Sequence, residues 1–309
     1  MASQEQPDRT ISTNVMTSQD LSMPRMLYGC AWKKEKTKKL VLKALRNGFR
    51  GFDTAAQPKH YFEAGAGEAL AEFLAEQNDL KREDLFVQTK VNRKHAATLV
   101  EVSSGDENND FGGDDIGAQV KASVSASLVN LQTTYVDSLL LHSPYSKFKH
   151  TLEAWKAMEE AVDQGYAKQI GISNVKSLEE LQRLHASARI KPAVVQQRFH
   201  RKTGFEREMR QWCLQNGVYF QSFWTLTANS KEGKPGKDAV LSPEVQNMAK
   251  KYLVSPQVLF YRWAMHDQVV CPLNGTSSKD HMKEDLKVFE IALSEEDFQV
   301  ISAVVYRDL

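Results

Sequence analysis

The sequence predicts a single-domain (β/α)8 barrel, on three observations. Short, nearly all-apolar runs alternate with segments of helical period eight times along the chain, the pattern of strands buried on both faces. A length of 309 residues is enough to close one such barrel. No G-x-G-x-x-G follows any of the apolar runs, which counts against the runner-up, a doubly wound open sheet.

Residues 1–22 are polar and lack the apolar core of a secretory signal, so they are expected to be a disordered tail, with the barrel over 23–309. Met26 to Trp32 is the first strand. Thr37 to Arg46 carries Leu40, Val41, Ala44 and Leu45 at helical spacing, and Asn47-Gly48 is a left-handed stop. Phe49 to Phe52 is the second strand and Glu63 to Ala75 the second helix. Leu85 to Thr89 is the third strand, ending at Lys90. Residues 102–116 form an inserted loop, acidic and aperiodic. Asp106, Asp110 and Asp114 recur there without calcium-loop spacing, so no metal is expected.

Val120 to Leu131 is an amphipathic helix, and Tyr135 to Leu141 a strand ending at His142. Thr151 to Gln164 is a helix closed by Gly165, and Ala167 to Ile172 a strand ending at Ser173-Asn174. Ser177 to Ala188 is a helix with Ser177 as N-cap and Glu180 at capping-box distance. Ala193 to Val195 is a strand ending at Gln196-Gln197. Glu206 to Asn216 is a helix, and Val218 to Ser222 a strand ending at Phe223-Trp224. Helices over Ser242 to Tyr252 and Ser255 to Met265 precede the last strand, Val269 to Cys271. Helices near His281 to Leu286 and over Ser294 to Val305 complete the chain.

Bulk composition excludes several classes of function. The net charge of +1 gives no field for nucleic acid or an anionic membrane surface. No run of about 18 apolar residues exists to span a bilayer. Three scattered cysteines, Cys30, Cys213 and Cys271, have neither disulfide nor metal-ligand spacing and suit a reducing, cytoplasmic setting.

Barrels of this class carry their active sites at the C-terminal ends of the strands. Asp53, Lys90, His142, Ser173 with Asn174, Gln197, and Phe223 with Trp224 fall at that end of six successive strands, and Tyr61 lies on the loop after Asp53. The alternative for Asp53 and Lys90 is a purely structural ion pair; for His142 it is a satisfied buried histidine.

Gly48-Phe49-Arg50-Gly51-Phe52-Asp53-Thr54-Ala55, Thr89-Lys90, Leu141-His142-Ser143-Pro144 and Gly171-Ile172-Ser173-Asn174, in that order from about Pro24 to Phe289, resemble the aldo-keto reductase superfamily. The Gln57 to Tyr61 loop and Pro272 to Thr276 resemble a divergent branch best known from fungi. The resemblance implies a reductase that transfers a hydride from NADPH, in preference to NADH, to an aldehyde or ketone. The branch hints at secondary metabolism, and a monomer is common among such barrels.

The roles follow from that resemblance. Tyr61 is the expected proton donor, with Lys90 lowering its pKa, Asp53 holding Lys90, and His142 orienting the substrate carbonyl. The commoner family pattern puts the Tyr five residues after the Asp, where this chain has Pro58, so His60 competes with Tyr61. Ser173, Asn174 and Gln197 would contact the nicotinamide carboxamide, and Phe223 would stack on its ring. At the phosphate end the usual Pro-Lys-Ser and Arg are missing, leaving Asn274, Thr276, Ser277, Ser278, Lys279 and His281. Trp32, His60 and Trp224 are candidates for the substrate wall. The run from Leu226 to Lys237 reads as a loop that either covers the cofactor or is simply solvated. A second class of function is a catalytically silent, nicotinamide-binding regulatory subunit of the same fold.

Overall fold

The structure is a computed structural model that describes residues 10–92, 115–229 and 239–307. Eight parallel strands close a barrel: β3 (Leu27–Gly29), β4 (Gly51–Asp53), β5 (Phe86–Val91), β6 (Val136–Leu141), β7 (Ala167–Ser173), β8 (Val194–Arg198), β9 (Tyr219–Phe223) and β10 (Val270–Asn274), with β10 pairing back onto β3. The chain is a single domain of the expected class. Every residue of β4, β5 and β6 is buried, as strands covered by helices on one side and barrel interior on the other must be.

The strands are preceded by a feature that was not expected. β1 (Asn14–Met16) and β2 (Ser22–Pro24) pair antiparallel, Val15 opposite Met23. Part of the segment expected to be a disordered tail is therefore a hairpin. It sits against the barrel because its apolar side chains, Val15 and Met23, pack with Leu27, Phe86, Leu140, Val194 and Cys271. Gln19 ties it further, donating to Lys191 O at 2.7 Å and accepting from Ile170 N at 3.2 Å. Residues 1–9 lie outside the described residues.

The helices follow the predicted boundaries within a few residues. α1 (Thr37–Arg46) stops at Gly48, whose φ of +106° is open to glycine at little cost. α2 (Glu63–Glu76) approaches α3 (Ile116–Asn130) so closely at Gly67 that a Cβ there would lie 2.1 Å from Asn130 O. After α4 (Phe148–Asp163), α5 (Leu178–Ser187) begins with the Ser177 hydroxyl accepting from Glu180 N. The Glu180 carboxylate reaches back to Lys176 N rather than to the cap residue itself. The remaining helices are α6 (Arg207–Gln215), α7 (Pro243–Lys251), α8 (Pro256–Ala264), α9 (Lys279–Asp285) and α10 (Glu295–Val305).

The inserted loop, with Asp106, Asp110 and Asp114, falls outside the described residues up to 114. Its expected end at 116 is too late: Asp115 caps α3, accepting from Ala118 N at 2.8 Å, and Ile116 is the first helical residue. Residues 230–238 of the charged loop are likewise outside the described residues. Among the described residues no helix is long and apolar enough to cross a membrane.

Candidate active site

Side chains alternate along a strand, so β4, β5, β8 and β9 each send every second residue into the barrel. Asp53, the last residue of β4, is buried there. Lys90, fully buried, donates to Asp53 Oδ1 at 2.7 Å, to Oδ2 at 2.6 Å and to Thr54 O at 2.8 Å. Three buried glutamines continue the network below. Gln88 and Gln196 donate to Asp53 Oδ1 at 2.7 and 3.1 Å, and both donate to Gln221 Oε1. The Lys90 ammonium and the glutamine amides give the Asp53 carboxylate its partners, so the pair is buried without an unpaired charge.

The loop after β4 delivers Tyr61. Its backbone turns back on itself, with His60 N and Tyr61 N both donating to Gln57 O at 3.0 and 2.9 Å. This extra turn explains how a tyrosine eight residues beyond Asp53, rather than five, returns to the barrel mouth. Its ring centroid lies 5.0 Å from Lys90 Nζ and 5.9 Å from the His142 ring, which it meets edge-on. Burial raises the Tyr61 pKa above its ordinary value, and Lys90 pulls the other way as a nearby charge and hydrogen-bond donor. The net direction is upward, not the net lowering expected from Lys90 alone, because desolvation is the larger effect. Lys90 itself is pushed down by burial, but Asp53 and then Tyr61 more than offset this, so it stays cationic.

His142 is lowered to about 3, mainly by burial and then by the Lys90 and His60 charges, so its ring is neutral at pH 7. Asn92 lies beside it, Nδ2 to Nδ1 at 3.4 Å. An amide donor on Nδ1 leaves the ring proton on Nε2, free to donate elsewhere. His60, the competitor, does something different. Its Nδ1 bonds Gln57 Oε1 at 2.6 Å and its ring lies against Trp32, centroids 3.9 Å apart and planes tilted by 44°.

Asp53, Tyr61, His142, His60, Trp32, Trp224 and Phe223 all line one cavity of about 880 Å³, within the range of small-molecule sites. Asn174, Asn274, Thr276 and His281 line it too. Ser173, Gln197, Ser277 and Lys279 do not. Ser173 and Gln197 are buried below its surface, donating to Gln196 O at 2.8 Å and Val175 O at 2.7 Å, so they brace the strand ends in this structure. Ser277 instead accepts from Lys43 Nζ through its backbone O at 3.1 Å.

The far end of the cavity is acidic as well as polar. Asn274 donates to Asp285 Oδ2 at 2.6 Å, and Glu284 lines the same end. Burial raises Asp285 to about 6, partly countered by the Asn274 bond. Sequence reasoning missed Glu284 and Asp285, as it missed Asn92, Gln88, Gln221, Lys33 and Arg198. The signal for Gln88 was available, since it precedes Lys90 by two and so shares its strand face.

At the mouth of the barrel a buried Lys–Asp pair thus meets a tyrosine and a neutral histidine. The profile of the Aldo/keto reductase family matches residues 27–305, and the chain belongs to that family. Among its relatives, D-galacturonate reductase of Fragaria ananassa is 29% identical, the match spanning 88% of this chain and 82% of that one. Glycerol 2-dehydrogenase (NADP(+)) of Hypocrea jecorina is 30% identical, over 88% of this chain and 84% of that one. An uncharacterized oxidoreductase of Schizosaccharomyces pombe is 29% identical over 96% and 93%. Among solved structures, the aldo/keto reductase from Brucella melitensis superposes with a TM-score of 0.76 at 22% identity, covering 96% of this chain and 99% of that one. That likeness is one of fold.

Proposed function

We propose that this chain reduces an aldehyde or ketone with NADPH, and that Tyr61 donates the proton. The observation that carries the reading is the contact between Tyr61, His142 and the Lys90–Asp53 pair at the wall of one cavity. The residues fit a nicotinamide coenzyme at that end: Phe223 offers a partly exposed aromatic face and Asn174 an exposed amide on the same cavity. The coenzyme supplies the hydride.

The chain's own groups do the rest. His142, neutral and protonated on Nε2, donates to the carbonyl oxygen and holds it next to Tyr61. As charge develops on that oxygen, the Tyr61 O–H bond breaks and the alcohol O–H bond forms. The resulting phenolate is stabilised by the Lys90 ammonium, which Asp53 keeps in place. A phenol held above its ordinary pKa is fully protonated at neutral pH and is a competent donor only because Lys90 stabilises its conjugate base.

For the coenzyme, NADPH is favoured by the name of the Hypocrea jecorina relative and by His281, which lines the cavity with Asn274. Without an Arg, this grip on a phosphate is weaker than a bidentate one. The expected result is tighter binding of NADPH than of NADH by fluorescence titration; the reverse order would assign the carboxyls Glu284 and Asp285 to a ribose hydroxyl instead. The chain would act as a monomer in the cytosol, and the fungal-branch resemblance points toward secondary metabolism.

Turnover tests the whole reading. Purified protein should consume reduced coenzyme only when an aldehyde is present. Coenzyme binding with no consumption across a panel of aldehydes would instead support the silent regulatory subunit.

A further inference from the structure

Arg198 is the last residue of β8. Strand alternation fixes its direction. Gln196 faces the barrel interior, where it bonds Asp53, and Gln197 faces away onto Val175 O. Arg198 therefore returns to the interior face, two residues or roughly 6.6 Å closer to the mouth than Gln196. It lines the same cavity as Tyr61 and His142. In register beside it on β9 is Phe223. Its guanidinium lies 4.4 Å from the Trp224 ring centroid and 5.9 Å from that of Phe223.

Among the described residues no carboxylate pairs with Arg198. Several of the other charges on this cavity are already engaged. Asp53 is paired with Lys90, and Lys33 donates to Gly275 O. Asp285 accepts from Asn274, and among the described residues neither it nor Glu284 forms an ion pair with Arg198. His60 and His142 are both shifted toward the neutral form by burial. Among the described residues Arg198 is thus an exposed cation without a carboxylate partner on the cavity wall, its guanidinium over the Trp224 ring. A guanidinium edge matches the two oxygens of a carboxylate.

We propose that Arg198 binds a carboxylate on the carbonyl substrate, so that the preferred substrates are acidic aldehydes or ketones such as oxo acids and uronic acids. The proposal rests on the reductase reading and names the substrate class for that same site. The aromatic rings of Trp32, His60 and Trp224 would cover the uncharged body of such a molecule. A second anion that could meet Arg198 is the coenzyme's own phosphate, and the experiment separates the two.

The test is calorimetric binding of para-formylbenzoate and of its methyl ester to the coenzyme-loaded protein. The acid should bind about tenfold tighter than the ester, a typical effect of one charge-assisted pair. In Arg198→Met that ratio should fall to about one, and Arg198→Lys should recover part of it. Equal affinities in the unmodified protein would overturn the proposal. So would a loss in Arg198→Met that falls on the affinity for the coenzyme itself, which would assign Arg198 to the dinucleotide phosphates. Turnover of the two aldehydes is read separately. A binding preference for the acid without any turnover would leave the carboxylate site standing and refute the reductase reading.

Discussion

Lys90 and Asp53 are each almost completely buried, and each is the other's charge partner. Removing one partner leaves the other charge stranded, which typically costs about 3–5 kcal/mol. Lys90→Met should therefore lower stability by about that amount in urea unfolding and also abolish turnover; a folded, fully active variant would show that the pair is only structural. The position of these two residues was legible because strand ends can be counted from the apolar runs. The role of Gln88, Gln196 and Gln221 was not, because an amide that bonds another amide across a barrel leaves no local pattern. Ser173 and Gln197 show the same limit: residue type does not reveal that a side chain bends back onto a backbone carbonyl.

Elements with a strong period were predicted well. α1 was delimited correctly at both ends, since an apolar face and an Asn-Gly stop agree there. The hairpin of β1 and β2 was missed because three-residue strands have no measurable period and their flanks are polar. Its contribution is specific. Met23 is fully buried, and its Sδ lies 3.5 Å from Gln221 Nε2, so the hairpin reaches the glutamine network under Asp53. Met23→Ala should cost about 2–5 kcal/mol in denaturant unfolding, the range for emptying a buried site. A change below about 0.5 kcal/mol would mean that the hairpin is a loosely held tail after all.

For the whole molecule, the half-buried, neutral His142 sets a pH dependence. His142 has a folded-state pKa of about 3 against an ordinary 6.5, so below 6.5 the unfolded chain takes up a proton that the folded one refuses. The stability associated with His142 is complete above pH 6.5 and is lost as pH falls toward 3. Its size is on the order of a few kcal/mol. His142→Gln should flatten that part of the stability profile between pH 6 and 4, and an unchanged slope would mean that the ring is charged in the folded state. Barrel closure, by contrast, was legible from the alternation of eight strands and helices alone.

The central claim is that Tyr61 is the proton donor, although a longer loop brings it to the site from an unusual position. The most direct measurement is aldehyde reduction by Tyr61→Phe, with coenzyme affinity measured on the same sample. The account predicts a kcat lower by about 10²- to 10⁴-fold with coenzyme still bound. Full turnover by that variant would contradict it and move the proton donor to another group at the barrel mouth.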